Sequence, residues 1–296
     1  MYYENELGYL NLLKDTINQG ESVKTRNGTT ISKFGSLLKF TNIENLPVIT
    51  TKKIFLRGII EELLWFLKGS YMATTLQEKN IHIWDGNSSR EFLDNNNFKE
   101  YKTGELGPIY GWQWRNFGKK YKKEGSDTGI DQIKYIIVEL LKENNSRRAV
   151  LSGWNPLQLE EMVLPPCHIL YNFYKNSKGL SCLMTMRSTD LFLGLPFNLT
   201  STAILTHIIA KVLHLKTDEI AIVITDGHIY EEHIDSVNKQ LNNKIIENNV
   251  KLEINIEPPE LDSSIEEKIN WINNLKYENF KILNYNSCEK ITAVMK

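Results

Sequence analysis

The chain has 296 residues, 41% of them hydrophobic, enough to bury a sizeable core in one large domain or two ordinary ones. Its formal charge of -1, from 35 basic and 36 acidic side chains, excludes a whole-molecule field that would draw it to nucleic acid or an anionic membrane. Three cysteines, Cys167, Cys182 and Cys288, none of them in a C-x-x-C pair, exclude a disulfide framework and suit a reducing compartment.

The opening "MYYENELGYLNLLKD" carries Glu4, Glu6 and Lys14 and lacks the basic start and apolar core of a signal peptide. No stretch approaches the roughly 18 uncharged apolar residues of a membrane span. The expectation is a soluble, cytoplasmic protein with no membrane partner. Leu7, Leu10, Leu13 and Ile17 recur at helical spacing and stop at Gly20, which reads as a cap. "TTISKFGSLLKFT" alternates around Gly35 as a strand pair would. "FLRGIIEELLWFLKG" is apolar nearly all round and reads as a deeply buried helix ending at Gly69, with Glu61 and Glu62 inside it.

Residues 86 to 129 are rich in Gly, Asn and Lys, and "GKKYKKEGSDTG" reads as an exposed loop. Its lysines lack the aromatic ladder or module of an RNA-binding surface, so a solvated turn is the simpler reading and no nucleic acid is required. "DQIKYIIVELLKENN" places Ile133, Ile136, Ile137, Leu140 and Leu141 on one helical face. Strands follow at "RAVLSGW", "HILYNFY" and "LSCLMTMRS", then a second buried helix at "NLTSTAILTHIIAKVLHL", a strand at "EIAIVIT" and a helix at "YEEHIDSVNKQLNN". No repeat or linker divides the chain. This interleaving predicts one α/β domain of the α+β type, residues 1–296, around a large mixed sheet with helices on one face.

Neither common nucleotide fingerprint, G-x-x-x-x-G-K-[ST] nor G-x-G-x-x-G, is present. In "HIYEEH", His228 and His233 are five residues apart, about 140° around a helix, so they share no helical face and no metal site is expected. Cations gather instead at predicted strand ends: Arg147 and Arg148 begin one strand, and Arg187 with Ser188 closes another. An arginine fork suits phosphate oxygens, although each residue alone could equally form a surface ion pair. Cys167 lies in "LPPCHILYNFY". A cysteine beside an apolar strand is ordinarily a small buried hydrophobe. Here Pro165 and Pro166 fix φ, remove two backbone donors and present the residue at the mouth of the strand. A neighbouring guanidinium would favour the thiolate. Cys182 reads as core and Cys288 as an exposed tail residue.

"GPIYGWQWRNFG", "NSRRAVLSGWNP", "MVLPPCHILYNFY", "RSTDLFLGLPFN" and "DGHIYEEH", in this order and spacing, resemble thymidylate synthase, and "RNGTTISKFG", "LPVITTKKIF", "EELLWFLKG" and "IWDGNSSREFLD" agree. The resemblance covers nearly the entire chain. It implies a homodimer whose sheets pack face to face, and methylation of dUMP to dTMP with 5,10-methylenetetrahydrofolate as cosubstrate and no metal. It further implies that Cys167 is the nucleophile, that Arg26, Arg187 and Ser188 grip the phosphate, and that Arg147 and Arg148 join them from the other subunit. By the same resemblance Asn198 would pair with the uracil edge, and His228 and Tyr230 would hold the sugar hydroxyl. Glu62 would relay protons through water, and Tyr110 would assist removal of the carbon-five proton. Asp190 would bind the pterin, Ile83, Trp84, Leu193, Gly194 and Phe197 would shape the folate slot, and Lys52 would meet the glutamate tail.

The sequence departs from the family pattern at four places. Met186 replaces a Gln, "RNGTTIS" is one residue short, and Thr225 and Asp226 stand where the family has a Gly-Asp pair. The segment "NYNSCEKITAVMK" keeps Tyr285 and Asn286 but lacks the Pro-containing segment and small apolar end. A looser lid there would admit water and give a hydroxymethyl product, so a nucleotide hydroxymethylase of the same superfamily is the alternative activity. A nucleotide-binding relic without turnover is the non-enzymatic one.

Overall fold

Ile220, Ile222 and Ile224 recur at every second position and are fully buried, as are Met184 and Met186 on the neighbouring strand. A period of two fixes one face of a sheet to the core. The computed structural model describes residues 1–122, 128–143 and 146–294. Its strands are β1 (Tyr2–Glu4), β2 (Glu21–Thr25), β3 (Gly28–Thr41), β4 (Val150–Ser152), β5 (His168–Asn176), β6 (Gly179–Asp190), β7 (Thr217–Tyr230), β8 (Lys251–Ile254) and β9 (Phe280–Leu283). Seven of them form one mixed sheet in the order β1-β3-β7-β6-β5-β4, with β2 also on β3, while β8 and β9 make a separate ribbon. β6 and β7 run parallel, and their remaining neighbours β5 and β3 are antiparallel to them.

The helices are α1 (Asn5–Gln19), α2 (Leu56–Leu67), the short α3 (Thr74–Gln77), α4 (Asp85–Ser88) and α5 (Arg90–Asn95), then α6 (Tyr110–Asn116), α7 (Gln132–Leu141), α8 (Gly194–Val212), α9 (Ile234–Leu241) and α10 (Ile265–Asn273). α1 and α8 lie on the sheet, and α2 stacks against α6 and α8 behind it. Every residue of α2 from Gly58 to Leu67 is buried, as its composition predicts. Each fully buried Leu or Ile contributes about 2 kcal/mol relative to exposure, and the two buried carboxyls of this layer each have a partner, Glu61 in Lys79 and Glu62 in Trp84. The opposite face of the sheet is open: Leu183 and Tyr174 are exposed, and Leu37, Thr185 and Val223 are half-buried.

Several sequence expectations need correction. "TTISKFGSLLKFT" is one continuous strand, not a pair: Gly35 takes φ +73, yet Phe34 and Ser36 keep register with Asp226 and Ile224, so the chain kinks without turning back. α1 forms as expected, but its buried face is Tyr9, Leu12, Leu13 and Thr16, whereas Leu7 is exposed. Gly20 caps it at φ -75, with no left-handed conformation. "HIYEEH" is not helical at its start, because His228 belongs to β7, so the helical-angle argument does not apply to it. In "GKKYKKEGSDTG", Tyr121 is buried with its hydroxyl donating to Glu105 at 2.6 Å, and residues 123–127 lie outside the described residues. So do 144–145 of "DQIKYIIVELLKENN" and 295–296 of the terminal segment.

α6 approaches α2 so closely that a Cβ on Gly111 would stand 2.8 Å from the Ser70 carbonyl oxygen and 3.0 Å from that of Phe66. Backbone cannot yield as a flexible side chain does. Gly111→Ala is expected to lower stability by about 2 kcal/mol, read as a shifted urea midpoint at unchanged slope. An unshifted midpoint would show that the two helices are free to separate.

Candidate active site

Prolines lack an N–H, so Pro165 and Pro166 bring only carbonyl groups to the segment before β5. Arg187, near the end of β6, takes both: Nε donates to Pro166 O at 2.8 Å and Nη2 to Pro165 O at 2.9 Å. Its backbone N–H donates to Cys167 O at 2.9 Å, and Nη2 stands 4.0 Å from Cys167 Sγ. From the other side, the Cys167 N–H donates to the Tyr110 hydroxyl oxygen at 2.8 Å. The cysteine is thus fixed from β6 and from the start of α6. Burial pushes the thiol pKa up, and the Arg187 charge and the Tyr110 contact offset only part of that. The guanidinium favours the thiolate, as expected from the sequence, but desolvation outweighs it.

A cleft of about 390 Å³ opens beside Cys167. All the site residues named from the sequence line it except Lys52, Arg147 and Arg148. Phe66, Asn87, Leu164, His168 and Thr189 line it too, although sequence reasoning did not single them out. Phe66 lies one helical turn after Glu62 and His168 directly follows Cys167, so spacing alone held the signal for both. His168 is a neutral spacer: burial pulls its pKa down to about 3, its ring stacks on Tyr110 at 4.2 Å, and Nδ1 lies 2.9 Å from the Tyr171 hydroxyl.

Glu62 comes from α2 and is 7% exposed. Trp84 Nε1 donates to its Oε1 at 2.8 Å. Burial raises its pKa from 4.5 to about 7, and the indole bond opposes this only weakly. Tyr110 is pushed well above the usual phenol range by burial. Asp190, at the end of β6, spends Oδ1 on the Phe192 and Leu193 amides at 2.7 and 3.0 Å, while Oδ2 stands 3.8 Å from His233 Nδ1. Asn198 lies in the second turn of α8 and its carbonyl accepts from Thr202 Oγ1, so the helix fixes its place in the wall.

At the other end of the cleft a two-residue turn between β2 and β3 carries Arg26 to the wall despite the short loop. Thr225 and Asp226 do not alter the backbone, because β7 holds register with β3 and β6 through this region. Asp226 accepts from Ser32 Oγ at 3.0 Å and from Ser188 Oγ at 3.2 Å. The adjacent His228, with help from these hydroxyls, holds its carboxyl below the usual carboxylate range. Met186 is fully buried on the core face.

Lys52 departs from its expected place. It is 4% exposed, its Nζ bonds Phe192 O and lies 3.5 Å from the centre of the Phe192 ring, and burial pulls its pKa down to about 7. It is packed beneath the start of α8 and is not presented to a ligand chain. Arg147 and Arg148 are exposed, before β4. The terminal segment is docked rather than loose: Tyr285 donates to Ile49 O at 3.1 Å, Cys288 N to Thr50 O at 2.8 Å, and His233 Nε2 lies 2.8 Å from Val294 O. Among the described residues no group of three or more His, Cys, Asp or Glu could hold a metal, and no helix is long and apolar enough to cross a membrane.

The profile of the family described as thymidylate synthase matches residues 7–296. The chain belongs to the thymidylate synthase family. It is similar to a bifunctional dihydrofolate reductase-thymidylate synthase of Zea mays, 41% identical over 294 residues, covering 98% of this chain and 54% of that protein. A second such protein, from Arabidopsis thaliana, is 42% identical over 97% of this chain and 49% of its own length. A third, from Plasmodium berghei (strain Anka), is 46% identical over 81% of this chain and 42% of its own. The chain therefore spans about half the length of these thymidylate synthase relatives.

A carboxyl whose pKa is higher folded than unfolded favours the folded state fully below the unfolded value, and that contribution is lost as pH rises through the folded one. For Glu62 the window runs from 4.5 to about 7. Glu62→Gln is expected to remove this loss, so that stability falls less between pH 5 and pH 9 than in the wild type, by roughly 3 kcal/mol. Urea unfolding at both pH values reads the difference, and equal pH slopes in the two proteins would refute the buried neutral acid.

Proposed function

We propose that this chain transfers a one-carbon unit from 5,10-methylenetetrahydrofolate to dUMP, giving dTMP. One observation carries the reading: Cys167 Sγ opens into a cleft 4.0 Å from the Arg187 guanidinium, with the raised-pKa carboxyl of Glu62 in the same wall. Relatives matched over most of the chain are named as thymidylate synthases, which favours a methyl over a hydroxymethyl product. The terminal segment is docked against Ile49, Thr50 and His233, which removes the loose lid on which the hydroxymethyl alternative rests.

As thiolate, Cys167 adds to carbon six of the uracil ring, the ring electrons move to the carbonyl oxygen, and carbon five becomes the nucleophile. The same sulfur is expelled at the end. Arg187 is placed to stabilise the sulfur's negative charge and, with Arg26 and Ser188, to hold the phosphate. Glu62, neutral or charged with similar ease near pH 7, passes a proton through water to the carbonyl side. Asn198 offers an amide N–H and an amide oxygen to the imide edge. His228 and Tyr230 reach the sugar hydroxyl, and Tyr110, protonated and accepting from Cys167, assists the carbon-five step by orienting a water that takes the proton.

The folate slot fits a flat ring. Ile83, Trp84, Leu193 and Phe197 give apolar walls beside Gly194, and Asp190 Oδ2 keeps acceptor capacity for a ring N–H. The folate supplies both the carbon and the hydride when bound. Arg147 and Arg148, exposed and outside their own cleft, suit donation to a second subunit, and the open sheet face with Leu37, Leu183 and Val223 suits the homodimer that this requires.

Mass spectrometry of the nucleotide formed from dUMP and methylenetetrahydrofolate should show the methyl product, and a hydroxymethyl mass would replace this reading by its alternative. Cys167→Ala should lose turnover by more than about a thousandfold while still binding dUMP. Mixing inactive Cys167→Ala and Arg148→Ala proteins should restore about a quarter of wild-type activity through hybrid dimers. Demonstrated subunit exchange without recovery would rule out the shared site.

A further inference from the structure

Ser188 has one hydroxyl proton and two polar neighbours. Asp226 Oδ2 lies at 3.2 Å and His228 Nδ1 at 3.4 Å. The Asp226 carboxylate is itself fixed, because Ser32 Oγ donates to its other oxygen at 3.0 Å across the β3–β7 ladder. His228 Nδ1 stands 3.6 Å from the same Oδ2 that holds Ser188. A carboxylate only accepts, so the ring nitrogen facing it is the one that carries hydrogen. Once Ser188 turns its proton to a bound anion, His228 Nδ1–H is the donor at hand to replace it on Oδ2.

Resting on the nucleotide reading above, we propose that Asp226 is a positioning residue that sets the Ser188 hydroxyl and the His228 ring together. It holds His228 with hydrogen on Nδ1, leaving Nε2 as a bare acceptor toward the cleft. The ring then recognises a ligand hydroxyl by accepting its proton, and Ser188 is released to donate to phosphate. Around the ring, Asp190, its ladder partner on β6, gives Oδ1 to two amides and has Oδ2 3.8 Å from His233 Nδ1, Tyr230 meets the ring edge-on at 5.5 Å, and Arg26 and Arg187 are donors only. In Asp226→Ala the remaining partner of Nδ1 is the Ser188 hydroxyl, which donates to it, so hydrogen moves to Nε2.

Nitrogen-15 NMR of protein labelled at histidine, assigned with His228→Gln, tests this in the free protein, with inorganic phosphate and with dUMP. Wild type is expected to show His228 with a protonated Nδ1 and a bare Nε2 in the dUMP complex. Asp226→Ala is expected to reverse the two nitrogens and to raise the KM for dUMP about tenfold, with kcat within about threefold. Asp226→Glu should recover the wild-type pattern in part. A protonated Nε2 with bare Nδ1 in the wild type would overturn the proposal, even if Asp226→Ala failed to fold. An Asp226→Ala protein with unchanged nitrogens and KM would overturn it as well. Failure of dUMP to perturb the spectrum would instead count against the nucleotide reading, with the free-protein tautomer still deciding the role of Asp226.

Discussion

The guanidinium of Arg187 donates to the carbonyls of Pro165 and Pro166 and lies beside the sulfur of Cys167, while the Arg187 backbone N–H donates to the Cys167 carbonyl. A segment with two prolines has carbonyls but few donors, so it needs a fork of N–H groups from elsewhere in the chain. β6 delivers that fork next to the start of β5. The same charge that closes the strand end therefore stands by the Cys167 sulfur. Packing helps to keep it there, with the guanidinium 5.7 Å from the Trp154 ring centre.

Everything else in the cleft is placed relative to that pair by the sheet. The parallel register of β6 and β7 sets Ser188 beside Asp226 and Asp190 beside His228. The antiparallel register of β3 and β7 adds Ser32 opposite His228. These strands bring the polar end of the site together without any loop having to be long or rigid. α2 and α6 supply the other wall, where Glu62, Phe66 and Tyr110 are held by close contact between helix backbones.

Much of this was legible in sequence because the longer elements announce themselves. The isoleucines of β7 and the unbroken apolar run of α2 each fix a buried face. Motif order identified the family and most residues of the cleft wall. What failed had local causes. Gly35 looked like a turn, yet a ladder on β7 carried the strand through it. Leu7 looked like core, but α1 turns Tyr9 and Leu12 inward instead. Lys52 was assigned by motif to a ligand, and only tertiary packing reveals that Phe192 covers it. His168 and Asp226 lie within quoted motifs, but what they do arises from neighbours distant in sequence.

Charge along the cleft is unevenly distributed, and the asymmetry follows from burial. At one end Glu62, Tyr110 and Cys167 are all pushed toward their protonated forms, and His168 toward neutrality, by the same loss of water. At the other end Arg26, Ser188 and the Asp226–His228 pair sit where solvent still reaches. A ligand with a flat uncharged ring and an anionic tail has one favoured orientation in such a site, because reversing it would set the anion against Glu62 and Tyr110 and take it from Arg26 and Ser188. The orientation that remains lays the ring against Cys167. On the proposed function, one gradient in hydration would both select the nucleotide and turn its ring toward the sulfur.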